Sequence, residues 1–281
     1  MPVSANRLPK HRPFLKWAGG KFRLTDEINK LLPKNKPILI EPFVGAGSVF
    51  LNSNFKRYIL ADLNPDLINL FNVVKTDVDH FVAESTKLFR HPNANSAEFY
   101  YRQRDEFNRT SDIFVRSALF VYLNRFGYNG LCRYNSKGLF NVPFGAYVKP
   151  YFPETEIRYF SHKAQHASFH CATFQSSFEL ASHDSVVYCD PPYAPLQQLS
   201  NFTHYAGNGF SLAQQQELAD LAKQCAEQHR TSVVISNHDT PFTREIYQGA
   251  RFKKLIVQRH ISQNGENRSK VNELIAVFKH R

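Results

Sequence analysis

Four short apolar runs, 38–43 (ILIEPF), 57–61 (RYILA), 185–189 (SVVYC) and 232–236 (SVVIS), constrain this chain most. Runs of this length without a polar face predict strands covered on both sides, the situation of parallel sheets. Helical spacing over 46–52, 65–76 and 212–228 separates them, with turn-length connections. Strand alternating with helix predicts an α/β fold, a mostly parallel sheet with helices on both faces. Two later runs, 252–261 and 271–278, read as a terminal hairpin around NGENRSK.

The middle departs from this rhythm. From about residue 76 to 162 the pattern is helical, and helices expected at 96–109 and 113–126 are rich in Arg and aromatics. Residues 127–153 then show no period and many Gly, Asn and Pro, and a loop of such length is usually functional. We read 77–162 as an insertion into a sheet domain made of 1–76 and 163–281.

Charge has the same uneven layout. The net charge is +11, yet residues 1–36, 87–149 and 251–281 alone carry +7, +6 and +6, so the remainder is acidic. Basic blocks on an acidic body predict a polyanion partner. The hydrophobic fraction of 42% excludes a disordered chain. Four cysteines with no C-x-x-C pair, and no H-E-x-x-H pattern, predict neither a disulfide framework nor a metal. Basic residues near the start precede no apolar segment of a signal peptide, and no apolar run reaches membrane-spanning length, so a cytoplasmic location is expected.

Four motifs could carry chemistry. EPFVGAG (41–47) ends the first apolar run and opens a helix, where glycines let a ligand approach the backbone and N–H groups are available. Asp62 ends the second run in LADLN, a place from which a carboxylate accepts ribose hydroxyls; a capping Asp beside a tight turn is the plainer alternative. DPPY, Asp190-Pro191-Pro192-Tyr193, follows SVVYC, and its prolines stiffen the backbone. The Asp190 carboxylate and the Pro191 carbonyl could then accept the two hydrogens of an exocyclic amine, with Tyr193 a face for a planar ring. FLKWAGGK (14–21) holds the only tryptophan, Trp17, and a Gly-Gly-Lys turn before helical spacing over 22–32. In LNRFGYNGLCRYNSKGLFNVPFG (123–145), Arg and Asn suit base edges and aromatics suit wedging into a base stack. His238-Asp239 lacks a nucleophile turn, and Asn237 or Asp239 is expected to cap the next helix.

Together, FLKWAGGK, EPFVGAG, LADLN, NRFGYNGLCRYN and VVYCDPPYAP, in this order, resemble the Dam-type DNA adenine-N6 methyltransferases over nearly the whole chain. The resemblance implies a Rossmann-like methyltransferase sheet with a mainly helical DNA-recognition insertion bearing a hairpin or loop. It implies S-adenosylmethionine as donor and double-stranded DNA, at GATC, as substrate. By position, Trp17 and Lys21 match the N-terminal donor motif, Phe43, Gly45 and Gly47 the glycine turn, and Asp62 the acid on the donor ribose. Asp190, Pro191, Pro192 and Tyr193 match the catalytic motif, Asp190 also bordering the donor. Tyr128 and Asn129 match residues that intercalate at a flipped base; Leu131, Arg133 and Pro143 match readers of flanking base pairs, and Lys16 a contact to the outer pair. Arg104, Arg125, Asn135 and Asn141 match phosphate contacts. Ala146 departs from the pattern, standing where the family has a basic phosphate contact.

Two rivals remain at this level. Methyltransferases of protein or RNA amines share Pro-Pro-Tyr, but those acting on glutamine begin the motif with Asn rather than Asp. A non-catalytic DNA-binding protein explains the charge but neither Asp62 nor DPPY; donor binding separates the two. One flipped base per event needs only a monomer.

Overall fold

The computed structural model describes residues 9–196, 210–258 and 270–280. The expected apolar runs are strands: β1 (Ile38–Glu41), β2 (Arg57–Asp62), β4 (Ser185–Cys189) and β5 (Ser232–His238). The third strand in chain order, β3 (Ala167–Cys171), carries no apolar run, since ASFHC has buried positions only at Ala167 and Phe169. The terminal runs are β6 (Arg251–Gln258) and β7 (Lys270–Phe278); the turn expected between them, and residues 259–261 of the earlier run, lie outside the described residues.

Among the described residues the sheet has the order β3-β2-β1-β4-β5-β7-β6. β2, β1, β4 and β5 run parallel, whereas β7 joins β5 and β6 antiparallel. All five residues of β4 are buried, as are six of seven in β5. Burial on both faces explains the unbroken apolar runs VVYC and VVI of these two strands.

The helices are α1 (Thr25–Asn29), α2 (Ser48–Asn52), α3 (Pro65–Thr76), α4 (Val78–Arg90), α5 (Ala97–Arg109), α6 (Ile113–Phe126), α7 (Glu154–Ala164), α8 (Phe174–Phe178), α9 (Leu212–Gln228) and α10 (Pro241–Ile246). The spacing over 22–32 yields only a 3-10 turn, Phe22–Leu24, and the five-residue α1. Side-chain caps start most of the others: Asn64 bonds the N–H groups of Asp66 and Leu67, and Ser211 and Thr240 form reciprocal boxes with Gln214 and Thr243. The cap of α10 is therefore Thr240 and not Asn237 or Asp239. None of these helices is long and apolar enough to cross a membrane.

The chain divides into two compact units: Met1–Glu27, Gly45–Asn54 and Asn64–Phe169, and then Ile28–Val44, Phe55–Leu63 and His170–Arg281. Segment 77–162 lies wholly in the first, together with the N-terminal segment, α2 and α3. Phe14, Phe50, Phe71 and Phe160 form an aromatic core there, ring centroids 4.6–6.0 Å apart. Helix α6 is buried from Ser117 to Asn124 without a break, so it is the axis of that unit. The second unit has its own core from β1, β4, β5, β7, α8 and α9, including Ile40, Val187, Leu218, Val233, Ile235 and Leu274.

Candidate functional site

In the second unit Asp62 is the last residue of β2, Phe43 follows β1 and Asp190 follows β4. Because β2, β1 and β4 are parallel neighbours, the three residues leave the same edge of the sheet. This carboxyl edge is where open α/β sheets take ligands. The capping alternative for Asp62 is excluded, since Asn64 caps α3. The Phe43 ring stacks on Phe174 at 5.7 Å and meets Phe210 edge-on at 5.6 Å, giving Phe43 a fixed apolar wall.

The turn Asp190–Tyr193 is held from several sides. Gln215 Nε2 donates to the Pro192 carbonyl at 2.7 Å. The Ala194 N–H donates to Asn237 Oδ1 at 3.0 Å, and the Ala194 carbonyl lies 2.6 Å from His238 Nδ1, which must carry the proton because a carbonyl only accepts. Tyr193 Oη donates to Glu273 Oε2 at 3.1 Å, and its ring stands edge-on to His238 at 4.8 Å. Burial, followed by the charges of Asp190 and Glu273, holds the Tyr193 phenol well above its ordinary pKa, so it remains a proton donor. Burial does the same to Tyr188, whose hydroxyl lies 2.9 Å from Ser236 Oγ. The Pro191 carbonyl takes part in none of these bonds.

In the first unit the N-terminal motif folds onto the glycine turn. Gly45 has φ +48°, and a Cβ there would lie 2.9 Å from Trp17 Nε1. Only glycine lets the indole lie this close to the backbone. Gly47, also in the left-handed region at φ 75°, starts α2. Lys21 is buried and donates to the Gly19 carbonyl at 2.7 Å, tying the Gly-Gly-Lys turn to itself.

All ten residues matched to DNA contacts lie in this same unit, and the structure gathers most of them around residues 123–145. Tyr128 and Asn129 form a 3-10 turn on which Tyr128 is 52% exposed and Asn129 has φ 53°. The turn is fastened by the Tyr128 N–H to the Pro143 carbonyl at 2.9 Å and by the Asn129 N–H to Tyr147 Oη at 2.7 Å. Lys16 sits 4.1 Å above the Tyr147 ring. Residues 127–144 form an irregular hairpin that includes this turn, with antiparallel bridges Gly127–Phe144 and Tyr134–Phe140. On it Arg133 donates from Nε to Asn141 Oδ1 at 2.8 Å, holding an exposed guanidinium in one direction. Asn135 Oδ1 accepts from the N–H groups of Lys137 and Leu139, so this oxygen serves the hairpin tip. Arg104 donates to the Val142 carbonyl at 3.3 Å. Ala146 holds φ 49°, an unusual backbone for a residue with a Cβ.

Arg125 and Lys16 also line a cavity of about 330 Å³ with Arg12, Tyr151 and Glu156. Arg125 donates to the Phe14 carbonyl, and its Nε is buried without a hydrogen bond among the described residues. Burial lowers its pKa and that of Lys16, each cation costing energy that a bound anion would recover.

Asp66, Tyr147, Gln215 and Glu273 bond to these features yet belong to no motif legible in the sequence. The available sign was a polar residue inside an apolar run, as at Asn124 in LFVYLN and Asn237 in SVVISN. Among the described residues no group of three or more His, Cys, Asp or Glu could hold a metal ion.

The profile of the D12 class N6 adenine-specific DNA methyltransferase family matches residues 17–261. A DNA adenine methylase of Haemophilus influenzae is 66% identical over 96% of this chain and 94% of its own length. The DNA adenine methylase of Escherichia coli K12 is 56% identical over 97% of each chain. One from Vibrio cholerae is 54% identical over 96% of this chain and 97% of its own.

Proposed function

The chain belongs to the D12 class of N6 adenine-specific DNA methyltransferases, and on that premise we propose that it methylates adenine N6 within GATC, on a base flipped out of duplex DNA. A methyltransferase of this family takes its methyl group from a donor of the S-adenosylmethionine type. When bound, the sulfonium supplies an electrophilic methyl carbon. The donor residues we propose are Trp17, Lys21, Gly45 and Gly47, and Phe43, Asp62 and Asp190. Two features support their fit: the Trp17 indole lies against the backbone at Gly45, joining the N-terminal motif to the glycine turn, and Asp62 ends a parallel strand where a carboxylate can accept two ribose hydroxyls.

The observation that carries the reading is the rigid Asp190–Tyr193 turn. Adenine N6 is a poor nucleophile because its lone pair is delocalised into the ring. Accepting its two N–H groups on the Asp190 carboxylate and the Pro191 carbonyl favours the localised lone pair as attack begins. A carboxylate is too weak a base to deprotonate the neutral amine. Once the N–C bond has formed and the S–C bond has broken, N6 is cationic and acidic, and its proton passes to Asp190 or solvent. Tyr193, anchored through Glu273, offers the flipped base a stacking face.

Segment 77–162 is the recognition insertion of this reading. Tyr128 and Asn129 fill the space left by the flipped base, and Leu131, Arg133, Pro143 and Lys16 read its neighbours. Arg104, Arg125, Asn135 and Asn141 hold phosphates, and one copy of the chain suffices for one flipped base. The test is transfer of labelled methyl to duplexes that differ singly within GATC, by the native enzyme and by Asp190→Ala. Transfer confined to GATC and abolished in the variant, with DNA affinity kept, is expected. Equal transfer to all duplexes, or substantial turnover by Asp190→Ala, contradicts the reading.

A further inference from the structure

Two buried amides outside the DPPY motif link it to the body of the second unit. Gln215 on α9 is 1% exposed and Asn237 on β5 is 0% exposed. Gln215 Nε2 donates to the Pro192 carbonyl at 2.7 Å, while its Oε1 accepts from Asn237 Nδ2 at 2.9 Å. Asn237 Nδ2 also donates to Tyr247 Oη at 3.0 Å, and its Oδ1 accepts from the N–H groups of Ala194 and His238 at 3.0 and 2.9 Å. Asn237 thereby uses both of its donor hydrogens and both acceptor positions.

The relay has only one possible sense. A carbonyl accepts and a backbone N–H donates, so Pro192 fixes which end of Gln215 is the amine and Ala194 fixes which end of Asn237 is the oxygen. The two amides can then face each other only as donor to acceptor. Burying such groups is unfavourable unless every partner is in place, and here the partners lie on either side of Tyr193.

We propose that Gln215 and Asn237 are positioning residues for methyl transfer: their relay clamps Pro192 and Ala194, and so holds the Asp190 carboxylate, the Pro191 carbonyl and the Tyr193 ring in the geometry that receives the adenine amine. The inference rests on the proposed role of the Asp190–Tyr193 turn.

Gln215→Glu tests it at constant shape. The ionised carboxylate opposes the Pro192 carbonyl and cannot donate, whereas the protonated acid has one O–H for Pro192 and one oxygen for Asn237. Expected is a fall in kcat of about tenfold to hundredfold near pH 9, since small displacements of reacting groups are costly. KM for DNA should change little. Burial raises a carboxyl pKa, so kcat relative to native enzyme should recover as the pH falls towards about 6. His238, Tyr247, Tyr188, Asp190, Tyr193 and Glu273 surround the turn in both proteins, and dividing by the native rate at each pH removes their titration.

Tyr247→Phe removes only the outer bond of the relay and should lower Tm while leaving kcat within about threefold. A Gln215→Glu enzyme whose relative kcat is undiminished, or depressed equally at every pH, overturns the inference. In either case a native enzyme that methylates GATC leaves the functional reading standing, and a native enzyme without methyl transfer to duplex DNA fails that reading instead.

Discussion

The side-chain amide of Asn124 grips both backbone polar groups of Lys16, 108 residues away: Oδ1 accepts its N–H and Nδ2 donates to its carbonyl, each at 2.8 Å. The second hydrogen of Nδ2 goes to the Gly130 carbonyl at 3.0 Å. One buried amide on α6 thus positions the N-terminal segment around Lys16 and the turn bearing Tyr128 and Asn129. Gly130 makes the contact possible, since a Cβ there would lie 2.3 Å from Lys16 Cβ. Asn124→Ala should cost about 2–4 kcal/mol by stranding three backbone groups. Asn124→Asp should cost at least as much, because a carboxylate faces two carbonyls with nothing to donate. Denaturant melts of both variants check the order, and near-native stability of Asn124→Asp would contradict the assignment.

Tyr134 is tied to the helical body through Asp66. Its hydroxyl donates to Asp66 Oδ2 at 2.6 Å, and Arg116 donates to both oxygens of the same buried carboxylate. Tyr134→Phe should cost about 1.5–3 kcal/mol, the range for a hydrogen bond to a charged group. Burial first, and then the neighbouring Cys132 and Asp66, push the Tyr134 phenol far up. The unfolded chain therefore releases this proton above about pH 10 while the folded protein keeps it. The contribution of this group should be fully present and constant below that pH and decline above it, so stability falls with rising pH less steeply in Tyr134→Phe. Melts across the alkaline range measure the difference.

Arg133 and Asn141 should act as a pair. Arg133→Ala is expected to relax discrimination at one flanking base pair by about 1–3 kcal/mol. Asn141→Ala frees the guanidinium from its 2.8 Å bond and should relax the same position, adding little in the double variant. Relative kcat/KM values on singly substituted duplexes would reveal independent effects, which would refute the pairing.

Salt should separate the phosphate contacts from the base contacts. The logarithm of affinity should fall linearly with the logarithm of salt concentration, by roughly 0.9 per phosphate neutralised. Arg104→Ala and Arg125→Ala should each reduce the slope by about one and weaken binding to all sequences alike. A slope unaltered by both variants would remove them from the phosphate contacts.

The cysteines predict a labelling order. Cys171 is exposed, whereas Cys189 and Cys225 are buried. Burial pushes the Cys225 thiol up to about 11 and that of Cys189 well up, so neither forms much thiolate near neutral pH. Alkylation at about pH 8 should mark Cys171 in the native protein and reach Cys189 and Cys225 only on unfolding. Mass spectrometry of the native protein settles it, and rapid labelling of Cys189 would be the adverse result.

The sequence alone determined what is local along the chain. Apolar runs, cap residues, the glycines of 45–47 and the stiff Asp190–Tyr193 turn are legible because their physics is carried by neighbouring residues. Three basic blocks likewise point to a polyanion whatever the fold. Strand β3 escaped because it has too few apolar positions to show a period. Tertiary structure decided what orients these parts. Asn124, Asp66, Gln215 and Asn237 bond partners 6 to 108 residues away, and no local pattern encodes such a partner. A polar side chain in an apolar run carries only half of the information. The other half is which backbone carbonyl or N–H the fold brings to it, because a buried amide is stable only where donors and acceptors from distant segments converge.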